Sequence, residues 1–223
     1  GWQYATTIGE TRPNSTGEPA PLSRIIVSYS YLARDARFMF PALSVSLIIG
    51  CLYTFFATAP AVLISVLGLT GFQLSLYFAG TVVIVFSAGF LAPRLAERYG
   101  PRAAAMAGAV IASVGALFML AVSASPDLWS LTTGLCIFLF GMGLINPLGT
   151  AITLQPFASQ AGLASALLGF FQMGCAAIGA TLASLIPFPP AVSLSLNMCA
   201  GTLSAAILFV PAARQRPLSV VVL

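Results

Sequence analysis

Two amides, Asn146 and Gln172, stand out because each lies inside an apolar run long enough to cross a bilayer. A carboxamide both donates and accepts hydrogen bonds, so it can orient an uncharged amphiphilic molecule. In hydrocarbon it is costly unless it faces protein or water. Helical spacing places Gly143, Asn146, Thr150 and Thr153 on one face of GLCIFLFGMGLINPLGTAITL (134–154). It places Ser165, Gly169, Gln172, Ala176 and Gly179 on one face of LASALLGFFQMGCAAIGATLA (163–183). The connector QPFASQAG is short, so the two runs predict an antiparallel hairpin whose polar faces line a cavity. Tyr53, Phe56, Tyr77, Asn146, Thr150, Gln172 and Met173 are the expected lining. For the aromatic members an interfacial belt explains the placement as well as a pocket does. Asn197, in the last apolar run, reads as an interhelical hydrogen bond.

The elements that position these residues follow from composition. The chain has 223 residues, 59% hydrophobic and 6% charged, with mean hydropathy +0.99. Average soluble domains carry roughly 25% charged residues, so this is an all-α integral membrane protein. Six spans are expected, at about 38–59, 72–92, 103–123, 128–154, 162–186 and 190–210, each near the roughly 20 residues that hydrocarbon requires. They form one transmembrane region (38–210) between a leading segment (1–37) and a tail (211–223). Ala104, Gly108, Ala112 and Ala116 recur every four residues in the third span and predict close helix contact. Glu10 to Ser23 is a turn-rich linker, and Asn14-Ser15-Thr16 matches a glycosylation acceptor only as a tripeptide. RIIVSYSYLARDAR (24–37) reads as an interfacial amphipathic segment, in which Arg24, Arg34 and Arg37 reach lipid phosphate.

Orientation comes from arginine. All nine cationic residues are arginine, and eight of them precede the first span, join the second to the third, or follow the sixth. Six spans put all those segments on one side, so both termini and the 93–102 loop are expected in the cytoplasm. Asp127 and Trp129 mark the opposite interface. Clusters between apolar runs are topology signals, and nucleic acid is not an expected partner.

Missing chemistry narrows function further. There is no histidine, which removes imidazole metal sites, a Ser–His dyad and the usual proton relay. Glu10, Glu18, Asp35, Glu97 and Asp127 are the only acids, and all lie outside the spans or at their ends. Cys51, Cys136, Cys175 and Cys199 fall in different spans without Cys-x-x-Cys spacing and read as small buried hydrophobes. No enzyme, metal or cofactor is expected, and no carboxylate is placed to couple ion movement.

The loop LAPRLAERYGPRAA (91–104) resembles the cytoplasmic loop signature of the major facilitator superfamily, with Glu97, Arg98, Gly100 and Arg102 matching. Pro93 stands in place of the family's leading glycine and Pro101 in place of a basic residue, as in the weaker second-half copy. Asn146-Pro147, Gln155-Pro156-Phe157, residues 161–169 and Gln172 resemble the tenth and eleventh helices of bicyclomycin-resistance (Bcr/CflA) type drug exporters. Glu10-Thr11 with Pro13, and Arg34-Asp35-Arg37-Phe38, resemble their central linker and the start of their seventh helix.

The resemblance maps the chain onto the C-terminal half of a twelve-helix fold, with Gly1 falling at the end of the sixth helix and the first half absent from this sequence. It implies alternating-access, proton-coupled export of amphiphilic drugs across a bacterial inner membrane, with the proton-handling residues on the other half. Two other readings stay open: a six-helix scaffold or homodimeric half-protein without transport of its own, and an exporter of a metabolite such as an amino acid.

Overall fold

A computed structural model describes residues 22–185 and 187–214. The glycosylation tripeptide and most of the linker lie outside them, as does the tail beyond residue 214. The described residues form seven α-helices: α1 (Leu22–Arg34), α2 (Ala36–Pro60), α3 (Gly71–Tyr99), α4 (Pro101–Val122), α5 (Leu128–Leu154), α6 (Ala161–Leu185) and α7 (Pro190–Arg214). A π-helical extension, Ala61–Val66, follows α2, and a 3-10 segment, Gln155–Gln160, joins α5 to α6.

Five stretches are long and apolar enough to cross a membrane, and one of them, Leu128–Leu185, has 58 residues. At about 1.5 Å per residue that stretch is nearly three times the hydrocarbon thickness. Phe157 breaks it with φ −115° and ψ 28°, so it holds two helices and the six expected spans are present.

Helix starts follow local chemistry. The Asp35 carboxylate accepts from Arg37 N–H and caps α2, Thr70 and Gln73 form a capping box on α3, and Asp127 accepts from the Trp129 and Ser130 N–H groups at the start of α5. The 93–102 loop differs from expectation. Helix α3 runs through Pro93 to Tyr99, leaving Gly100 as the only residue between α3 and α4. Gly100 takes φ +88°, a conformation open to a residue without Cβ, and Pro101 opens α4 where its missing N–H costs nothing.

Specific contacts give the helix directions. On the α4–α5 seam, Cβ atoms at Gly115 and Gly141 would strike the Phe138 and Ala112 backbones, and one at Gly108 would come 2.8 Å from Gly141 O. The numbers run oppositely, so the pair is antiparallel, and its glycines let the backbones touch. Ala104, Gly108, Ala112 and Ala116 are all buried there, as the small-residue spacing predicts. Helices α3 and α5 run parallel, with Tyr77 beside Thr132 and Ala88 beside Gly143. Helix α2 is parallel to α6, through Gly50 with Cys175 and Thr54 with Gly179, and antiparallel to α7, through Ser44 with Ala205 and Cys51 with Met198. It is also antiparallel to α5, through Val45 with Gly149, and its Phe38 meets Phe157 just past the end of α5.

Helices α5 and α6 therefore run in opposite directions, as the short connector demands. They do not pack face to face: each lies chiefly on other helices, and α2 is the neighbour they share.

Candidate functional site

The α2 contacts fix the heights of the two amides. Val45 meets Gly149, so Asn146, three residues earlier on an antiparallel helix, comes level with Ile48. Cys175 meets Gly50, so Gln172, three residues earlier on a parallel helix, comes level with Leu47. The middle of Ala36–Pro60 is Ile48. Both amides thus sit at one height, half-way along the helix between them. Thr150 and Met173 lie within about a turn of that height.

Their bonding sets them apart from Asn197. Asn197 Nδ2 donates to Gly179 O at 3.2 Å, the interhelical bond expected from sequence. Asn146 and Gln172, both half-buried, have no hydrogen-bond partner among the described residues. Each can therefore meet a ligand or water without first breaking a protein contact.

Asn146 opens onto a groove of about 280 Å³ between α3 and α5, lined by Val85, Phe86, Gly89, Phe90, Gly143, Asn146 and Pro147. Pro147 has no N–H, so the Gly143 carbonyl lacks its normal helical donor and adds an acceptor beside the amide. The wall is otherwise apolar. Sequence reading had placed none of the α3 residues here, although Phe86, Gly89 and Phe90 share a face at i, i+3 and i+4.

The polar faces read from the sequence are divided by packing. Thr153 is fully buried and its hydroxyl donates to Gly149 O at 2.7 Å, so it is not exposed to a cavity. Gly143 admits Ala88, whose Cβ would lie 2.6 Å from a Cβ added there. On α6, Ala176 and Gly179 face the α2 seam, whereas Gly169 meets nothing within 4 Å.

The aromatic candidates form a second level near the far ends of α2 and α5. Phe56 lies 5.4 Å from Phe78, and the Tyr77 and Thr132 hydroxyls are 3.3 Å apart. Thr132 is fourteen residues, about 21 Å of helix, from Asn146. Tyr53 is 44% exposed and Met173 52% exposed. Glu97, Arg98, Gly100 and Arg102 cluster at the opposite end of α3, where the Arg98 guanidinium lies 5.4 Å from the Tyr99 ring centroid. All four cysteines are free.

The Major Facilitator Superfamily profile matches residues 5–180. The chain belongs to that superfamily. Its members are transporters rather than enzymes, and the apolar spans make this a multi-pass inner-membrane protein. Multidrug resistance protein D of Escherichia coli (strain K12) is 28% identical over 203 residues, covering 88% of this chain and 49% of that protein. Multidrug transporter MdfA of Escherichia coli O6:H1 is 30% identical over 165 residues, covering 70% and 39%. Multidrug resistance protein MdtL of Citrobacter koseri is 28% identical over 200 residues, covering 88% and 47%. The chain spans less than half the length of these relatives, and its six spans are half of a major facilitator fold.

Proposed function

We propose that this chain supplies the C-terminal wall of the central cavity of a drug exporter of the bicyclomycin-resistance type, working by alternating access. The observation that carries the reading is the pair of unpartnered amides at one mid-helix height on α5 and α6. Around them the wall is apolar, with Phe86, Phe90 and Met173 offering area without obligatory hydrogen bonds. Such a wall suits amphiphilic cargo of varied shape. The relatives' names point to multidrug transport in those proteins.

Energising residues are assigned to the companion half. The described acids, Asp35, Glu97 and Asp127, all sit at helix ends, and two of them cap or approach α2 and α5. Proton coupling therefore works on this wall from across the cavity. The arginines Arg34, Arg37, Arg94, Arg98 and Arg102 support an orientation with both termini and the α3–α4 joint in the cytoplasm.

The test is drug resistance and binding in cells expressing the full-length protein with Asn146→Ala, Gln172→Ala or both. Each single change is expected to lower resistance to at least one amphiphilic drug by about two- to tenfold, the worth of one hydrogen bond. Wild-type resistance and affinity across several drugs in the double variant, at equal membrane levels, would remove the site.

A further inference from the structure

A cavity of about 620 Å³, lined by neither amide, lies between α1 and α6. Tyr29, Ser30 and Ala33 line it from α1, and Ala166, Leu167 and Phe170 from α6. Helix α1 is anchored beside it: Leu32 is fully buried with Phe38 and Ala42 of α2 and Ala164 and Leu168 of α6. The neighbouring apolar side chains Val27 and Tyr31 remain exposed, as fits a helix lying in the membrane interface.

Charge lies at a definite height above this crevice. The α2–α6 pairing of Gly50 with Cys175 puts Arg37, at the start of α2, level with Gly162, and Arg34 ends α1 next to Ala33, which lines the crevice. Residues 166–170 lie about one to two turns deeper than Gly162 along α6, roughly 6 to 12 Å. Both arginines are exposed and have no ion-pair partner among the described residues. Asp35 lies between them in sequence, but its carboxylate accepts from the Arg37 backbone N–H as the α2 cap. A cationic pair at the mouth of an apolar slot matches an anionic lipid, with its phosphate at the surface and an acyl chain below.

We propose that the α1–α6 crevice is a binding site for an anionic phospholipid of the cytoplasmic leaflet. One acyl chain lies between Tyr29 and Phe170, and the phosphate is held by Arg34 and Arg37. The lipid pins α1 to α6, coupling the interfacial helix to the helix that carries Gln172. The proposal uses the orientation given above, but not the drug-binding role of the amides.

The test uses the full chain in nanodiscs with phosphatidylglycerol or phosphatidylcholine bearing a photoactivatable acyl chain, followed by mass-spectrometric mapping. Phosphatidylglycerol adducts are expected within residues 29–33 and 161–170. Arg34→Gln with Arg37→Gln should lower that labelling by roughly fivefold per arginine, and salt should lower it too. Leu167→Trp, which fills the slot, should reduce labelling by both lipids while leaving the arginines in place. Equal labelling by the two lipids, adducts elsewhere only, or no change in either variant would overturn the site. Cross-linking of position 167 to residues 1–21 in place of lipid would overturn it as well, assigning the crevice to the chain's own leading segment. Drug resistance of the amide variants is a separate readout, so failure here is distinguishable from failure of the exporter reading.

Discussion

Helices α5 and α6 are consecutive, 27 and 25 residues long and almost equally apolar, yet the fold uses them in opposite ways. Helix α5 is enclosed: α4 meets it on a glycine seam, α3 along the Asn146 groove and α2 near Gly149. Helix α6 fully buries only Ala164, Leu168 and Ala183, while Phe170, Met173 and Ile178 remain exposed. In water such exposure would be a liability, but lipid or an apolar partner meets these side chains without penalty. The comparison separates a structural helix that also carries one amide from a helix whose surface is given over to external contacts.

Glycine substitutions test that contrast most strongly. Gly141→Val pushes branched carbons into the Ala112 backbone and is expected to cost about 1–3 kcal/mol or more, seen as loss of a monodisperse peak and a lower Tm in detergent. Gly174→Val on α6 meets nothing within 4 Å and should stay within about 0.5 kcal/mol of wild type. Equal damage from both would show that α6 is covered and break the comparison. The connectors give a second, smaller pair. Gly100→Ala forces a Cβ into φ +88° and should cost about 1 kcal/mol or somewhat more, whereas Gly162→Ala, in open space, should leave Tm unchanged.

Asparagines sharpen the contrast at lower amplitude. Asn197→Ala removes the bond to Gly179 O and should lower Tm by the equivalent of about 1 kcal/mol. Asn146→Ala removes no protein bond, so its effect belongs in drug binding and should barely move Tm. A large Tm loss for Asn146→Ala would make that amide structural. The smallest effect concerns the α5 cap. Hydrogen bonds from the Ser130 hydroxyl and then the Ser130 N–H hold the Asp127 carboxyl below its ordinary 3.8. A depressed folded-state value means that the cap contributes fully above about 3.8 and is lost as pH falls through the lower folded-state value. Asp127→Asn should therefore flatten the acid limb of the Tm–pH curve, while no described acid on α6 gives a matching term.

Apolar run length located the spanning helices to within about four residues at each end, apart from the far end of α3, because bilayer thickness sets that length whatever the neighbours are. Small-residue spacing likewise identified the tight α4 seam, since only close backbone approach needs it. Periodicity was less informative about the site. It put Gly143, Asn146 and Thr153 on one face, but could not say that Ala88 fills one position, a groove opens at the next and a backbone carbonyl takes up the Thr153 hydroxyl. Which neighbour covers a face is a tertiary fact, and it also decided that α2 stands between helices expected to pair directly. The 93–102 segment was misread for another reason: Pro93 looked like a loop residue, but proline is tolerated within membrane helices.

The one-residue joint at Gly100 has a mechanical consequence. Because α3 and α4 share no slack, an axial slide of α3 must drag the start of α4 with it. Helix α4 is locked by its glycines to α5, and α5 touches α3 again at Gly143. These three helices therefore close a loop of constraints around the Asn146 groove, with the chain joint at one end and backbone contacts along the other two sides.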